Sequence, residues 1–256
     1  MGGRLIDCGI LIVRPAGLGD ALAEKIHADG GDAILFPAID ILSAPRPAHL
    51  AMVIARLHTF DWAIFISPTA AREGMRSVRE RRSWPEAVRL AAVGRSTAAA
   101  LAALGLNEIL VPPVPGDSEA LAAMPELCDI AGQNIVIFRG DGGREHLARV
   151  LAARGARVEY AECYRRARPA ADMSGLLTRW RSGAVKAVCA ASSEALSNLR
   201  DMAGAADAGL VLGTPVFVPH PRIAEAARMM GFTHAIVAIG GDGAVAEALA
   251  AFFATV

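Results

Sequence analysis

Several short segments carry side chains able to bind an anion or move a proton, and each follows an apolar run. Arg14 opens the turn Arg14-Pro15-Ala16-Gly17, and Arg139 opens Arg139-Gly140-Asp141-Gly142-Gly143-Arg144. A guanidinium beside the backbone N–H groups of a helix N-terminus suits a carboxylate or a phosphate. The plainer reading of each is a Gly/Pro turn with a surface arginine. The second turn is the better anion-site candidate. It is not a P-loop, because no Gly-Lys-Ser/Thr follows, and it lacks the three-glycine dinucleotide spacing. Ser67-Pro68-Thr69-Ala70 and Ser192-Ser193-Glu194-Ala195 form a second pair. Their serines can cap helices, or they can offer hydroxyls and amides to a ligand. Neither lies in Gly-x-Ser-x-Gly with a base and an orienting partner, so nucleophilic catalysis is not expected. Gly94-Arg95-Ser96-Thr97 and Asp117-Ser118-Glu119 are two further turns that read as helix starts or as ligand contacts. Tyr164, ahead of Arg165-Arg166, is either a proton donor or a packed aromatic. Histidines stand at 27, 49, 58, 146, 220 and 234 without a His-x-x-x-His pair, so no metal site is expected.

These turns need a scaffold, and the apolar runs before them supply it. Residues 10–13, 33–36, 62–66, 90–93, 109–111, 135–138, 158–160, 185–190, 216–218 and 235–239 read as strands, with helical spacing between many of them. Strands apolar on both faces and separated by helices indicate parallel sheets covered on both sides, an α/β class. The turns would then line the carboxyl edges of those sheets, where ligands bind. Shifting the sequence by about 125 residues lays 10–14 on 135–139, 61–67 on 186–192 and, with one extra residue, 91–106 on 217–232. So long a repeat suggests two related α/β domains facing a cleft, a favoured ligand site. The repeat leaves two arrangements open. The domains are the two sequence halves, or the chain crosses between them at 36–41 and 161–166, which would put Tyr164 beside the cleft. The Pro-rich stretches 45–47 and 112–115 read as surface loops, and 76–82 as a solvated helix end.

Composition narrows the function. Twenty-six Lys+Arg balance 26 Asp+Glu over 256 residues, so no whole-molecule attraction to nucleic acid or an anionic membrane is expected. Aromatics at 5% argue against base-stacking platforms. Cys8, Cys128, Cys163 and Cys189 form no CxxC pair and read as small buried hydrophobes in a reducing cytosol. Residues 1–7 do not read as a signal peptide, and no uncharged run of 18 residues spans a membrane. A soluble, cytoplasmic protein is expected.

Taken in order, Val13-Arg14-Pro15, Phe65-Ile66-Ser67-Pro68-Thr69-Ala70, residues 92–97, Asp117-Ser118-Glu119, residues 139–144 and Tyr164-Arg165-Arg166 carry a resemblance. Over nearly its whole length the chain resembles the uroporphyrinogen-III synthase family. The resemblance implies two flavodoxin-like three-layer domains with parallel sheets, 1–38 plus 168–256 and 42–162. Linkers at about 36–42 and 161–168 would join them. It implies cyclisation of hydroxymethylbilane, a linear tetrapyrrole with eight carboxylates. Water is lost and ring D is inverted, in the tetrapyrrole pathways to haem, sirohaem, cobalamin and chlorophyll. No cofactor or metal is implied. The partner is the small-molecule substrate, handed over from hydroxymethylbilane synthase, and the chain is expected to be a monomer.

With the turns above, the resemblance makes Tyr164 the acid at the leaving hydroxyl. Substrate contacts are expected from Arg14, Ser67, Pro68, Thr69, Arg95, Ser96, Thr97, Ser118, Arg139, Gly140, Gly142, Gly143, Arg144, Ser192, Ser193, His220 and Arg222. One departure stands out: where the other half of the repeat has Thr97, Pro219-His220-Pro221-Arg222-Ile223 puts Ile223, so His220 or Arg222 would contact substrate instead. The alternative is a two-lobed cytosolic polycarboxylate-binding or sensor protein without catalysis. A nucleotide-dependent transferase lacks its phosphate loop here. A receiver domain lacks its acidic cluster and acceptor Asp, whose places Arg14 and Ser67 hold.

Overall fold

A computed structural model describes residues 3–113, 116–142 and 145–254. Four apolar residues with no polar alternation suit a strand covered on both faces, and Gly9–Ile12 forms such a strand, β1, buried throughout. The order continues α1 (Asp20–Ala28), β2 (Asp32–Leu35), β3 (Asp40–Ser43), α2 (Pro47–Ala55), β4 (Trp62–Phe65), α3 (Pro68–Arg79), β5 (Arg89–Ala92), α4 (Arg95–Ala103) and β6 (Ile109–Leu110). It goes on through α5 (Ser118–Ala122), β7 (Asn134–Gly140), α6 (His146–Ala153), β8 (Arg157–Ala167), α7 (Ser174–Arg181), β9 (Val185–Cys189) and α8 (Ser193–Gly213). The last elements are β10 (Val216–Val218), α9 (Pro221–Met229), β11 (Ala235–Val237) and α10 (Asp242–Phe253). Gly204 breaks α8 with a φ of 74°.

The chain divides into two compact units, Met1–Asp40 with Ala167–Val256, and Ile41–Arg166. The first unit holds a five-stranded sheet in the order β11-β10-β9-β1-β2, its paired strands all parallel. On one face Ile10, Ile12, Cys189 and Phe217 meet Leu22 and Ile26 of α1 and Val245 and Leu249 of α10. The second unit holds a six-stranded sheet in the order β3-β8-β7-β4-β5-β6, and β8 through β6 are parallel. Its two faces carry separate cores. Phe65, Val136 and Phe138 meet the helices α2, α3 and α4 on one side. Trp62, Ile64, Ile135 and Ile137 meet Leu121, Leu147 and Leu151 on the other. Phe65 and Phe138 stack with centroids 4.5 Å apart. The helix α3 rides directly on that pair at Gly74, where a Cβ would sit 2.6 Å from the Phe138 ring.

The repeat found in the sequence has a plain structural counterpart. Read from β2 in one sheet and from β8 in the other, β2-β1-β9-β10-β11 matches β8-β7-β4-β5-β6 strand for strand. The segments that coincide on shifting the sequence therefore occupy equivalent places in their two sheets.

Three local readings need correction. Pro47 is not in a loop but opens α2, because proline at the first helical position gives up an N–H that has no partner anyway. β8 runs for 11 residues rather than three, since Glu159, Glu162, Arg165 and Arg166 interrupt its apolar pattern without ending the strand. Among the cysteines, Cys163 and Cys189 are buried, Cys8 is half-buried and Cys128 is exposed. Burial pushes the Cys163 and Cys189 thiols up to about 12.

Candidate functional site

In the second unit the expected turns lie along the carboxyl ends of neighbouring strands. Ser67 follows β4 with extended backbone, and its Oγ accepts from the Ala70 N–H at 3.0 Å, capping α3. Pro68 takes the first helical position, and Thr69 is half-buried beside it. The same Oγ lies 3.3 Å from the hydroxyl of Tyr164, which arrives from β8. So Ser67 caps α3, as one of its two readings had it, and its oxygen also meets a tyrosine that neither reading named.

Tyr164 is 4% exposed and belongs to the core on the α3 side. The residue before it, Cys163, lies in that core too, although consecutive strand residues should face opposite ways. A register shift explains this: Arg139 pairs with Glu162 but Gly140 pairs with Tyr164. The extra residue re-aims the tyrosine, as bulges do. Its ring lies against Gly140, where a Cβ would come 2.8 Å from two ring carbons and 3.2 Å from the hydroxyl. The Asp141 N–H donates to the Tyr164 carbonyl at 2.9 Å, and an Asp141 carboxylate oxygen accepts from the Arg166 N–H at 3.3 Å. The turn after β7 is thereby fastened to the end of β8, with Gly142 at a φ of 63°. Gly143 and Arg144 lie outside the described residues.

Arg139 is not a surface arginine. It is 3% exposed, on the sheet face opposite Tyr164. Its guanidinium carbon lies 4.4 Å from the Tyr160 ring centroid, and its Nε donates to the Gly140 carbonyl at 3.1 Å. The next turn begins α4 with Gly94 as cap. Arg95 and Ser96 are exposed there, while Thr97 is 2% exposed, which leaves its side chain little surface for a ligand. Gly116 packs against Gly94, where a Cβ would meet the Gly94 Cα at 2.9 Å, so the two turns abut. Asp117 caps α5 by accepting from the Ala120 N–H at 2.8 Å, with Ser118 half-buried next to it.

The first unit repeats this plan with different chemistry. Ser192 caps α8, accepting from the Ala195 N–H at 3.2 Å, and Ser193 is half-buried. His220 caps α9, its Nδ1 accepting from the Arg222 N–H at 3.1 Å; Arg222 is exposed and Ile223 half-buried. Arg14 corrects the expectation of a free guanidinium. Its Nη1 donates to Asp242 at 2.5 Å, and the arginine side chain is only 12% exposed. Its Nε is buried without a hydrogen-bond partner among the described residues. Asp242, the first residue of α10, was missed from the sequence. The signal was there in Gly240-Gly241-Asp242, an acidic residue starting a helix after a strand, as macrodipole complementarity favours.

A shallow groove of about 410 Å³ along the outer side of α3 is lined by Arg72, Arg76, Arg79, Glu80 and Leu104. It runs away from the carboxyl edge, and Arg76 is already paired with Glu73 and Glu80.

Parallel α/β units with capped, polar strand-end turns serve many chemistries, so the fold by itself does not fix one. Comparison with known proteins narrows the choice. The family model described as uroporphyrinogen-III synthase HemD matches residues 20–241. The chain is 38% identical over 191 residues to the uroporphyrinogen-III synthase of Salmonella typhimurium, covering 74% of this chain and 78% of that one. It is 35% identical to the Escherichia coli enzyme with the same coverage. The fold is similar to that of a mutant uroporphyrinogen III synthase from Thermus thermophilus, with a TM-score of 0.64 at 18% identity, over 97% of this chain and 100% of that one. The chain belongs to the uroporphyrinogen-III synthase family.

Proposed function

We propose that this protein converts hydroxymethylbilane to uroporphyrinogen III in tetrapyrrole synthesis, and that the family match over residues 20–241 carries the assignment. We read the two units as flavodoxin-like domains joined by linkers near 36–42 and 161–168; the order 2-1-3-4-5 of the five-stranded sheet, and of β8 to β6 in the six-stranded one beside the extra β3, supports that reading. In that order ligands bind outside the carboxyl ends of the strands where the order reverses. Those points are β7/β4 in one unit and β1/β9 in the other, next to the Tyr164–Ser67 pair and to Arg14 and Ser192.

The reaction begins when the hydroxyl of the hydroxymethyl group on ring A leaves, forming an azafulvenium. Tyr164 gives that hydroxyl a proton, so it departs as water. Ring D attacks through its substituted carbon, and the spiro intermediate fragments and recombines with the ring inverted. The closing pyrrole releases one proton, which restores the tyrosine. Hydroxymethylbilane also closes unaided to isomer I, so holding ring D matters more than strong acid–base chemistry. A substrate with eight carboxylates is held by many donors. Pro68, Thr69, Arg95, Ser96, Ser118, Gly140, Gly142, Gly143 and Arg144 serve in one unit, and Arg14, Ser192, Ser193, His220 and Arg222 in the other. Arg139 and Thr97, both buried, support the turns that do so. The protein works as a cytoplasmic monomer that takes its substrate from hydroxymethylbilane synthase. No helix among the described residues is long and apolar enough to cross a membrane.

The test generates hydroxymethylbilane in situ, adds the protein, and separates the oxidised porphyrin isomers. Mostly isomer III is expected. Tyr164→Phe should lower the rate by about 10²–10⁴-fold, the usual worth of a positioned proton donor. Isomer I alone from folded protein would overturn the assignment in favour of a binding protein.

A further inference from the structure

We infer that Ser67 and Gly140 are positioning residues for Tyr164: one directs its hydroxyl and the other seats its ring. The inference rests on the reading of Tyr164 as the proton donor. A serine hydroxyl has one proton and two lone pairs. At Ser67 one lone pair is occupied by the Ala70 N–H at 3.0 Å, and the nearby tyrosine oxygen is 3.3 Å away. When Ser67 donates its proton to that oxygen, Tyr164 keeps its own proton to give to a leaving group. As the tyrosine releases that proton, the growing negative charge is met by the Ser67 hydrogen. The Ala70 amide and the N-terminus of the 12-residue α3 stand behind it. Ser67 thus works through Tyr164 and not as a direct substrate contact.

Gly140 fixes the other coordinate. A methyl group there would come 2.8 Å from two ring carbons of Tyr164 and 3.2 Å from its oxygen. The ring would have to lift by several tenths of an ångström, which is enough to lose a contact already at 3.3 Å. The register shift that turns Tyr164 onto this face is next to Gly140, so glycine and bulge act as one device.

The experiment is a double-mutant cycle read as kcat and KM for isomer III. Ser67→Gly is the primary variant, since glycine at a helix cap costs little relative to serine and the fold is kept. Ser67→Asp also caps, but has no proton to donate at neutral pH. Both should lower kcat by about 10-fold, the scale of one hydrogen bond, with KM within about 2-fold. Ser67→Thr should recover most of the loss, and Gly140→Ala should match Ser67→Gly. In a Tyr164→Phe background, Ser67→Gly and Gly140→Ala should add nothing. If their losses persist there, or if Ser67→Asp keeps the full kcat, the positioning role is wrong while the role of Tyr164 stands. If Tyr164→Phe itself retains the full rate, the tyrosine reading fails and this inference with it.

Discussion

Removing Asp242 should unseat Arg14 and cost the first unit a large part of its stability. The pair spans 228 residues and joins the turn after β1 to the first residue of α10, with side chains 12% and 25% exposed. Exposed ion pairs are worth about 0–1 kcal/mol. Breaking a fully buried pair costs about 3–5 kcal/mol, because a charge is left without compensation. This pair lies between those limits, nearer the buried one on the arginine side, where Nε already lacks a partner. Asp242→Ala should therefore cost about 2–3 kcal/mol. Arg14→Met should cost less, about 1 kcal/mol, because Asp242 keeps solvent and the α10 N-terminus. The double variant should lose less than the sum of the two, since no lone charge remains. Urea unfolding followed by circular dichroism reads these differences, and the thermal midpoint of Asp242→Ala should fall by roughly 5–10 °C. An Asp242→Ala protein as stable as the parent would refute the reasoning. So would a double variant whose loss equals the sum.

Thiol chemistry should sort the cysteines by burial. Cys163 and Cys189 are held protonated, since burial raises their thiols from 9.0 to about 12, so a disulfide reagent at pH 8 should leave both untouched in native protein. Cys128, which is exposed, should react first, and all four should react in denaturant. Rapid titration of four thiols without denaturant would contradict the buried placement. Asp117→Ala should remove the cap of α5 at a cost of about 1 kcal/mol in urea unfolding, and Asp117→Asn should restore it. An unchanged Asp117→Ala would show that the cap carries no weight.

What could be read from the sequence was what local pattern determines. Runs such as 10–13 and 62–66 read as covered strands and form β1 and β4, and capping was one of the readings open for Ser67, Ser192 and Asp117 from the residues after them. The 125-residue repeat was legible because equivalent strands bury equivalent apolar side chains. What escaped depended on partners far along the chain. Arg139 read as an anion-binding guanidinium because nothing local announces the Tyr160 ring beneath it. Arg14 looked free because its partner stands near the other end of the sequence. The contact of Tyr164 with Ser67 depends on a register shift, and pattern alone does not locate a bulge.

The order of the strands has a consequence for how the chain is built. The second unit is one unbroken stretch, Ile41–Arg166, whereas the first needs β1 and β2 from the start and β9 to β11 from the end. β1 sits between β2 and β9, so its second edge stays open until the whole intervening unit has been made. On the ribosome the later-numbered unit is therefore the one free to finish first, and an apolar strand with an unsatisfied edge waits through its synthesis. The first unit closes by long-range pairing, the slow kind, and that wait is when the nascent chain is most open to mispairing.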